Sequence, residues 1–198
     1  MLDCPPFPWK KECAPRLSTS DKEGKKARGF VHLYTGDGEG KSITAFGLAL
    51  RAVGHGYKVI IVQFMKGRKE IGEYRIRNRL SPEYEIHQFG RREFVDLASP
   101  EPADIELARE ALAFARNTLK RKPRLLILDE VNLAVAAGLL KLEDVLDLLE
   151  EIPPSTTVVM TGRRAPRELV DRADLVTEMH EIKHPIKRGV PARKGIEY

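Results

Sequence analysis

Cysteine is scarce in this sequence of 198 residues, and its two copies, Cys4 and Cys13, lie close together near the start. Their spacing matches neither a C-x-x-C pair nor a common zinc pattern, so it predicts no zinc site. Long apolar runs are also missing, since no stretch approaches the roughly 18 to 20 uninterrupted apolar residues of a membrane helix. The first residues likewise lack the apolar core of a secretory signal. We therefore expect a cytoplasmic protein without a membrane span, and thiols that stay reduced.

A strong excess of one charge is missing from most of the chain. The formal net charge is +5, but residues 1–28 alone hold seven Lys or Arg against four Asp or Glu. The remaining residues carry 27 basic and 25 acidic side chains, which is too even a balance to predict nucleic-acid binding. A single phosphate-binding pocket suits this balance equally well.

The first 28 residues differ in composition from the rest of the chain. They combine four prolines with Ser, Thr and a Lys-Glu-Gly-Lys-Lys run, and such a segment cannot bury enough apolar surface to fold by itself. We expect a flexible N-terminal segment at 1–28 and one folded domain at 29–198. An alternative is that Phe7 and Trp9 form an apolar pair that docks over a site when a ligand binds.

Six short apolar segments alternate with helical patterns after residue 29. The predicted strands are 30–34, 58–64, 84–89, 124–128, 157–160 and 175–179. Their nearly continuous Val, Ile and Leu content is typical of strands that are covered on both faces. The alternation of strands and helices predicts an α/β fold with a mostly parallel six-stranded sheet and helices on both faces. Ligands of such sheets bind beyond the carboxyl ends of the strands.

The helical patterns show where each helix should begin, end and pack. The apolar residues with a helical spacing in the first pattern are Ile43, Phe46, Leu50 and Val53. They predict the core-facing side of a helix that ends at Gly54. A second helix is expected to begin with Ser99 as its cap and Pro100 at its first position, and to end before Pro123. A third is expected at 142–149.

A glycine-rich motif directly follows the first predicted strand. Residues 35–42 read Thr-Gly-Asp-Gly-Glu-Gly-Lys-Ser, which is the phosphate-binding pattern G-x-x-x-x-G-K-[ST] with Thr35 at the first glycine position. We call these residues the phosphate loop. Its glycines allow backbone N–H groups to turn toward an anion, and the helix that follows adds about half a positive charge. The residues expected to bind the nucleotide here are Thr35, Gly36, Asp37, Gly38, Glu39, Gly40, Lys41, Ser42 and Ile43.

A pair of acids supports a nucleotide site with a metal. Asp129 and Glu130 end an apolar strand, and a strand of this kind delivers a carboxylate to the metal beside a phosphate loop. We therefore expect Mg2+ at Ser42, Asp129 and Glu130. The spacing leaves open which acid serves the metal and which serves the substrate, and acids at strand ends also cap helices. By themselves these motifs predict a protein that binds ATP or GTP with Mg2+.

From about Gly29 to Tyr198, the sequence resembles the ATP:corrinoid adenosyltransferases of the CobA/CobO type. The resemblance is carried by three blocks, at 35–67, 125–140 and 158–198. The family also has Thr at the first position of the phosphate loop, which makes the match more specific than a phosphate loop alone. The third block contains a Thr-Gly-Arg after a strand, a Lys-His-Pro and a closing Gly-Ile-Glu-Tyr.

The resemblance implies a P-loop NTPase fold of RecA-like build and a defined reaction. A reduced corrinoid, Co(I), attacks the 5′ carbon of ATP and expels triphosphate. Lys41 and Glu130 are then expected to be catalytic, and Arg51 and Arg163 to lie near the nucleotide. The family also implies a homodimer and a reduced flavoprotein as electron donor.

The resemblance places the corrinoid near the segment that matches 90–94. Family members have aromatic side chains there, but this chain has Arg91 and Glu93 at two of the aligned positions. We expect Phe89, Arg91 and Phe94 to contact the corrinoid. Alternatively both Phe residues are core residues, or Arg91 and Arg92 bind the corrinoid's peripheral groups.

Two other functions are compatible with the motifs. The first is a RecA-like ATPase that transfers phosphoryl groups to water and releases orthophosphate. The second is a nucleotide-dependent protein that uses its basic N-terminal segment on nucleic acid, and such binding should weaken steeply with salt.

Overall fold

The computed structural model describes residues 28–93 and 95–198. The expectations for the N-terminal segment, including those for Cys4, Cys13, Phe7 and Trp9, and the assignment of Phe94, lie outside the described residues. In the described part of the chain, every helix is too short or too polar to cross a membrane.

The core of the fold is a single parallel sheet. Its strands are β1 (Phe30–Thr35), β2 (Val59–Phe64), β3 (Tyr84–Phe89), β4 (Leu125–Asp129), β5 (Thr157–Thr161) and β6 (Leu175–Glu178). They lie in the order β3-β2-β4-β5-β1-β6, and every neighbouring pair is parallel. The six predicted strands are confirmed, within one residue at their ends. The register aligns Gln63 with Asp129 and Tyr34 with Thr161. The carboxyl ends of β1, β2, β4 and β5 therefore lie at the same edge of the sheet.

Helices cover both faces of this sheet. They are α1 (Lys41–Val53), α2 (Gly72–Arg75), α3 (Arg77–Leu80), α4 (Pro102–Leu119), α5 (Val131–Ala136), α6 (Leu142–Glu150) and α7 (Arg167–Arg172), and a 3-10 turn follows at Pro185–Arg188. The two faces of β2 show the arrangement: Ile60 and Val62 belong to one apolar cluster, while Val59 and Ile61 belong to another. The prediction of an α/β fold with helices on both faces is confirmed.

The buried face of α1 is not the one that its large apolar residues predict. Ala45 and Ala49 are fully buried against the sheet, whereas Ile43 is 65% exposed and Leu50 is 61% exposed. Both stripes repeat at the same helical spacing, so periodicity cannot choose between them. Small side chains allow the helix to pack closely on β2, β4 and β5.

The start of α4 is also shifted from the prediction. Glu101 is the N-cap and Pro102 is the first helical residue, two positions after Ser99 and Pro100. The backbone N–H of Glu101 donates to the Asp104 carboxylate at 3.3 Å, so a reciprocal cap satisfies backbone groups that Ser99 would leave open. The prediction of Ser99 as the cap was therefore wrong.

Candidate nucleotide and metal site

The shape of the phosphate loop is set by the strand beside it. The N–H of Gly38 donates to the carbonyl of Met179, just past β6, at 2.8 Å. A Cβ at Gly36 would lie 2.3 Å from the same carbonyl oxygen, and φ of Gly36 is 92°. Gly40, with φ of 108°, then starts α1. Only glycine allows this close approach and this backbone conformation.

Lys41 is enclosed by the loop that carries it. Its Nζ donates to the carbonyls of Gly36 at 2.8 Å and Gly38 at 2.6 Å, and the residue is buried. Burial lowers the pKa of Lys41, Arg163 lowers it further, and Glu130 opposes them. A single ammonium therefore lies at the centre of the loop, where an anion would bind.

Thr35 explains why the loop does not begin with glycine. Its Oγ1 accepts a 3.3 Å hydrogen bond from the N–H of Ala165, on the connection between β5 and α7. That connection carries Arg163, and Gly162 within it has φ of 136°. The threonine hydroxyl thus ties the phosphate loop to the segment that supplies an arginine to the site.

Asp129 is the buried centre of the site's hydrogen-bond network. Its Oδ1 accepts from the hydroxyls of Ser42 at 2.6 Å and Thr161 at 2.7 Å. Its Oδ2 accepts from Gln63 at 3.0 Å and from Lys66 at 2.7 Å. Burial raises the pKa of Asp129, but Lys66 and these hydroxyls outweigh burial and hold the pKa below its ordinary value. The carboxylate is therefore ionised and has no free acceptor position.

Glu130 differs from its neighbour because its carboxylate is open to the site. It adopts φ of 68° as the first residue before α5, and its N–H donates to Thr161 Oγ1 at 3.0 Å. Its Oε2 is buried without a hydrogen-bond partner among the described residues. Burial and the charge of Asp129 raise the pKa of Glu130. An unpartnered carboxylate oxygen of this kind is expected where a ligand or metal binds.

A cleft of about 480 Å³ joins these groups. Among the residues predicted from the sequence, those that line it are Gly38, Glu39, Gly40, Lys41, Ser42, Ile43, Glu130 and Arg163. Asp129 lies beneath the cleft with 0% exposure, and Thr35 is buried behind the loop. Arg51 is in the last turn of α1 and does not line the cleft. Since a helix rises 1.5 Å per residue, Arg51 lies roughly 15 Å along α1 from the phosphate loop.

Sequence reasoning missed three residues of the network, namely Thr161 at the end of β5 and two residues at the end of β2. Gln63 is a fully buried polar residue in an otherwise apolar strand, and Lys66 follows the same strand at the carboxyl edge. The available signal for Gln63 and Lys66 was their position at the carboxyl end of β2. In the sheet, β2 lies beside β4 and therefore ends next to Asp129.

A second cavity of about 240 Å³ adjoins the cleft and shares Lys66, Glu73, Glu197 and Tyr198 with it. Arg91 lines this cavity, but its guanidinium makes two hydrogen bonds of 2.9 Å with the buried carboxylate of Asp104.

The other residues expected at the corrinoid differ in their exposure. Phe89 is half-buried against the apolar core and packs on Phe114 with ring centroids 5.4 Å apart, so its contact with the corrinoid stays a prediction. Arg92 lines the second cavity with a side chain that is 76% exposed.

Known proteins match this sequence over most of its length. The sequence model of the family "ATP:corrinoid adenosyltransferase BtuR/CobO/CobP" matches residues 27–198. The corrinoid adenosyltransferases of Pseudomonas aeruginosa and Escherichia coli are each 38% identical over 177 residues, which is 89% of this chain and 87% and 89% of theirs. The corrinoid adenosyltransferase CobA of Salmonella typhimurium is 36% identical over 185 residues, 92% of each chain.

A solved structure shares the fold at low sequence identity. The flagellar accessory protein FlaH of Methanocaldococcus jannaschii aligns with a TM-score of 0.51 and 13% identity, over 79% of this chain and 73% of that chain. This likeness shows the α/β fold alone. The family match covers both the phosphate loop and the Asp129–Glu130 pair, and the chain therefore belongs to the ATP:corrinoid adenosyltransferase family.

Proposed function

We propose that this protein transfers the 5′-deoxyadenosyl group of ATP to the Co(I) centre of a reduced corrinoid and releases triphosphate. Family membership supports the two substrates. The observation that carries the proposal is the meeting of Lys41, Ser42, Glu130 and Arg163 in one cleft. The cobalt electron pair forms the Co–C bond, the bond from the 5′ carbon to oxygen breaks, and its electrons leave with the triphosphate.

The residues of the cleft suit a reaction whose main need is to bind an anion. Attack at carbon by Co(I) requires no base, because the nucleophile has no proton to lose. The protein has to align cobalt with the 5′ carbon and stabilise the leaving triphosphate. Lys41, Arg163 and the start of α1 place positive charge together for this purpose.

The donor set also suits Mg2+, which is part of this proposal. Ser42 donates its proton to Asp129 and so keeps its oxygen lone pairs available, and Glu130 has an open oxygen. Asp129 orients Ser42 and Thr161. No cluster of three or more His, Cys, Asp or Glu that could hold a metal occurs among residues 28–93 and 95–198, and phosphate oxygens usually complete an Mg2+ shell. When bound, Mg2+ would neutralise charge on the leaving phosphates.

The second cavity is the proposed entry of the corrinoid. It opens into the nucleotide cleft at Lys66 and Glu73, so a ligand there can face the ribose end of ATP. Arg92 is the basic residue whose exposed side chain suits a peripheral corrinoid carboxylate or amide. Arg91, bound to Asp104, holds the shape of the cavity wall.

The homodimer, the reduced flavoprotein donor and the cytoplasmic location remain predictions from the family and the sequence. The exposed apolar side chain of Leu50 on α1 suits contact with a second copy. Sedimentation velocity on the purified protein, with Leu50→Glu for comparison, tests the dimer.

The reaction is tested by anaerobic incubation of the protein with ATP, Mg2+ and chemically reduced cob(I)alamin. We expect a light-sensitive adenosylcorrinoid, followed by its visible spectrum, with an equal amount of triphosphate measured by ion chromatography. Lys41→Ala should abolish both. Release of orthophosphate without corrinoid, and no adenosylcorrinoid, would instead establish a RecA-like ATPase.

A further inference from the structure

Lys66 is held in place by an unusually constrained stretch of backbone. Met65 before it has φ of 57°, which is rare for a side chain of this size. Gly67 after it packs so closely that a Cβ there would lie 2.3 Å from the carbonyl oxygen of Gly90. A Cβ at Gly90 would lie 2.3 Å from the N–H nitrogen of Lys66 itself. Strained backbone of this kind persists where it positions a functional group.

The ammonium of Lys66 lies between a buried acid and the substrate cleft. Its Nζ is 2.7 Å from Oδ2 of Asp129, and its side chain is 29% exposed while that of Asp129 is 0% exposed. The residue lines both the nucleotide cleft and the second cavity. Burial lowers the pKa of Lys66, but Asp129 and Glu130 outweigh it and raise the pKa above its ordinary value. The 2.7 Å contact with the Asp129 carboxylate therefore places a positive charge at this position.

The hydrogen bonds of Asp129 leave no position for a second cation. Lys66 and Gln63 occupy Oδ2, and Ser42 and Thr161 occupy Oδ1. An ionised carboxylate has about four acceptor positions, so all of them are filled. The open carboxylate oxygen at the cleft belongs to Glu130. One carboxylate and one hydroxyl are a weak Mg2+ site without phosphate oxygens.

We propose that Lys66 is the resident cation of Asp129 in the nucleotide-free protein and thereby excludes divalent metal until the phosphates of ATP bring it in. This inference rests on the proposed binding of ATP with Mg2+. The ammonium satisfies the buried carboxylate and repels a dication at the same oxygen. Lys66 is thus a positioning residue that makes metal binding depend on nucleotide, and it touches neither the cobalt nor the 5′ carbon in this role.

The test uses Mn2+ as the probe and counts free Mn2+ by electron paramagnetic resonance, with no corrinoid present. For the nucleotide-free full chain we expect weak Mn2+ binding. Lys66→Met, which removes the charge but keeps the length, should bind Mn2+ at least about tenfold more tightly without nucleotide. ATP alone also binds Mn2+, so a mixture of ATP and Mn2+ without protein is the reference. Relative to it, addition of ATP should lower free Mn2+ further with either protein.

Two matched variants separate this role from a general change of the site. Lys66→Arg keeps a cation near Asp129, so its affinity for Mn2+ without nucleotide should stay as low as that of the wild type. Lys66→Met combined with Asp129→Asn removes both charges and should return the affinity to the weak wild-type level. The double variant also leaves no unpaired buried charge, so it folds where Lys66→Met alone is destabilised.

Each outcome decides the question. Tight Mn2+ binding by the nucleotide-free wild type would overturn the inference, and this measurement needs no variant. Equal Mn2+ affinity of wild type and Lys66→Met without nucleotide would also overturn it. Weak binding by the wild type in the presence of ATP would overturn the proposed metal site itself. The two failures are therefore distinguishable.

Discussion

The hydroxyl of Ser42 donates a 2.6 Å hydrogen bond to Oδ1 of Asp129, across 87 positions of the chain. This contact joins the start of α1 to the end of β4 and fixes the direction of the serine lone pairs. The same oxygen accepts from Thr161, whose hydroxyl in turn accepts from the backbone of Glu130. One buried carboxylate thus orients both groups that we propose as metal ligands.

Removal of the Ser42 hydroxyl should impair the reaction with ATP and Mg2+. For Ser42→Ala we expect kcat/KM to fall by about 10-fold to 100-fold, which is the value of a hydrogen bond to a charged group. Ser42→Thr keeps the hydroxyl and should retain most of the activity. Steady-state kinetics across Mg2+ concentrations measure both, and equal activity of Ser42→Ala and wild type would refute the role of the hydroxyl.

Arg163 and Arg51 should differ in their effect on nucleotide binding. Arg163 lines the cleft, whereas Arg51 lies in the last turn of α1. Arg163→Ala should raise the Kd for ATP by about tenfold, since it removes a charge from the cleft where we propose that the phosphates bind. Arg51→Ala should change it by less than about threefold. Calorimetric titration with ATP compares them, and an equal loss would contradict the location of Arg51 outside the site.

Substitution of Arg91 should affect mainly stability, whereas substitution of Arg92 should affect mainly corrinoid binding. Arg91→Met removes the partner of the buried Asp104 carboxylate and should lower Tm. Arg92→Met changes an exposed side chain and should leave Tm unaltered, while raising the KM for the corrinoid by about threefold or more. Thermal melts and kinetics with varied cob(I)alamin measure the two effects. If Arg91→Met keeps its Tm and loses corrinoid affinity, the original assignment of Arg91 is correct.

The same substitution, glycine to alanine, should have opposite effects on stability at Gly90 and at Gly47. Gly90→Ala should destabilise the protein by about 1 to 3 kcal/mol, because the Cβ meets rigid backbone at Met65 and Lys66. Gly47→Ala lies within α1 and meets nothing within 4 Å, so it should stabilise the protein by up to about 1 kcal/mol. Urea unfolding gives both values. A neutral Gly90→Ala would argue against the tight packing that positions Lys66.

The Asp174 carboxylate should contribute to the pH dependence of folding. Burial raises its pKa, but the Arg28 guanidinium and the N–H of Val31 outweigh burial and lower it below the ordinary value of 3.8. A lowered folded-state pKa contributes stability at neutral pH that is lost as the pH falls through it. The free energy of unfolding should therefore fall below about pH 4, and more steeply in wild type than in Asp174→Asn. Parallel slopes would contradict this role.

The strands and the phosphate loop could be predicted because their signals are local. Apolar runs such as that of β4 and the glycines of the phosphate loop dictate structure through burial and backbone conformation, whatever packs beside them. The resemblance in three blocks added the family, which the comparisons confirm. The roles of the individual site residues and the metal stay predictions.

The errors arose where the sequence offers two local patterns and another contact selects one of them. The two stripes of α1 have the same period, and only contact with the sheet selects Ala45 and Ala49 over Ile43 and Leu50. The cap of α4 is chosen by the reciprocal bond of Glu101 and Asp104. Arg91 binds the same Asp104, and its contact with the corrinoid stays a prediction.

The sequence by itself determined the order of the elements, the glycine-rich loop and the acids that follow β4, since each depends on neighbouring residues and on hydrophobic burial. Only the tertiary structure decided that Lys66 and Gln63 occupy Oδ2 of Asp129, that Glu130 keeps an open oxygen and that Arg51 does not line the cleft. The physical reason is that the strand order brings β2 beside β4. Hydrogen bonds act over a few ångströms, so the neighbours that folding brings close decide which acid each donor binds.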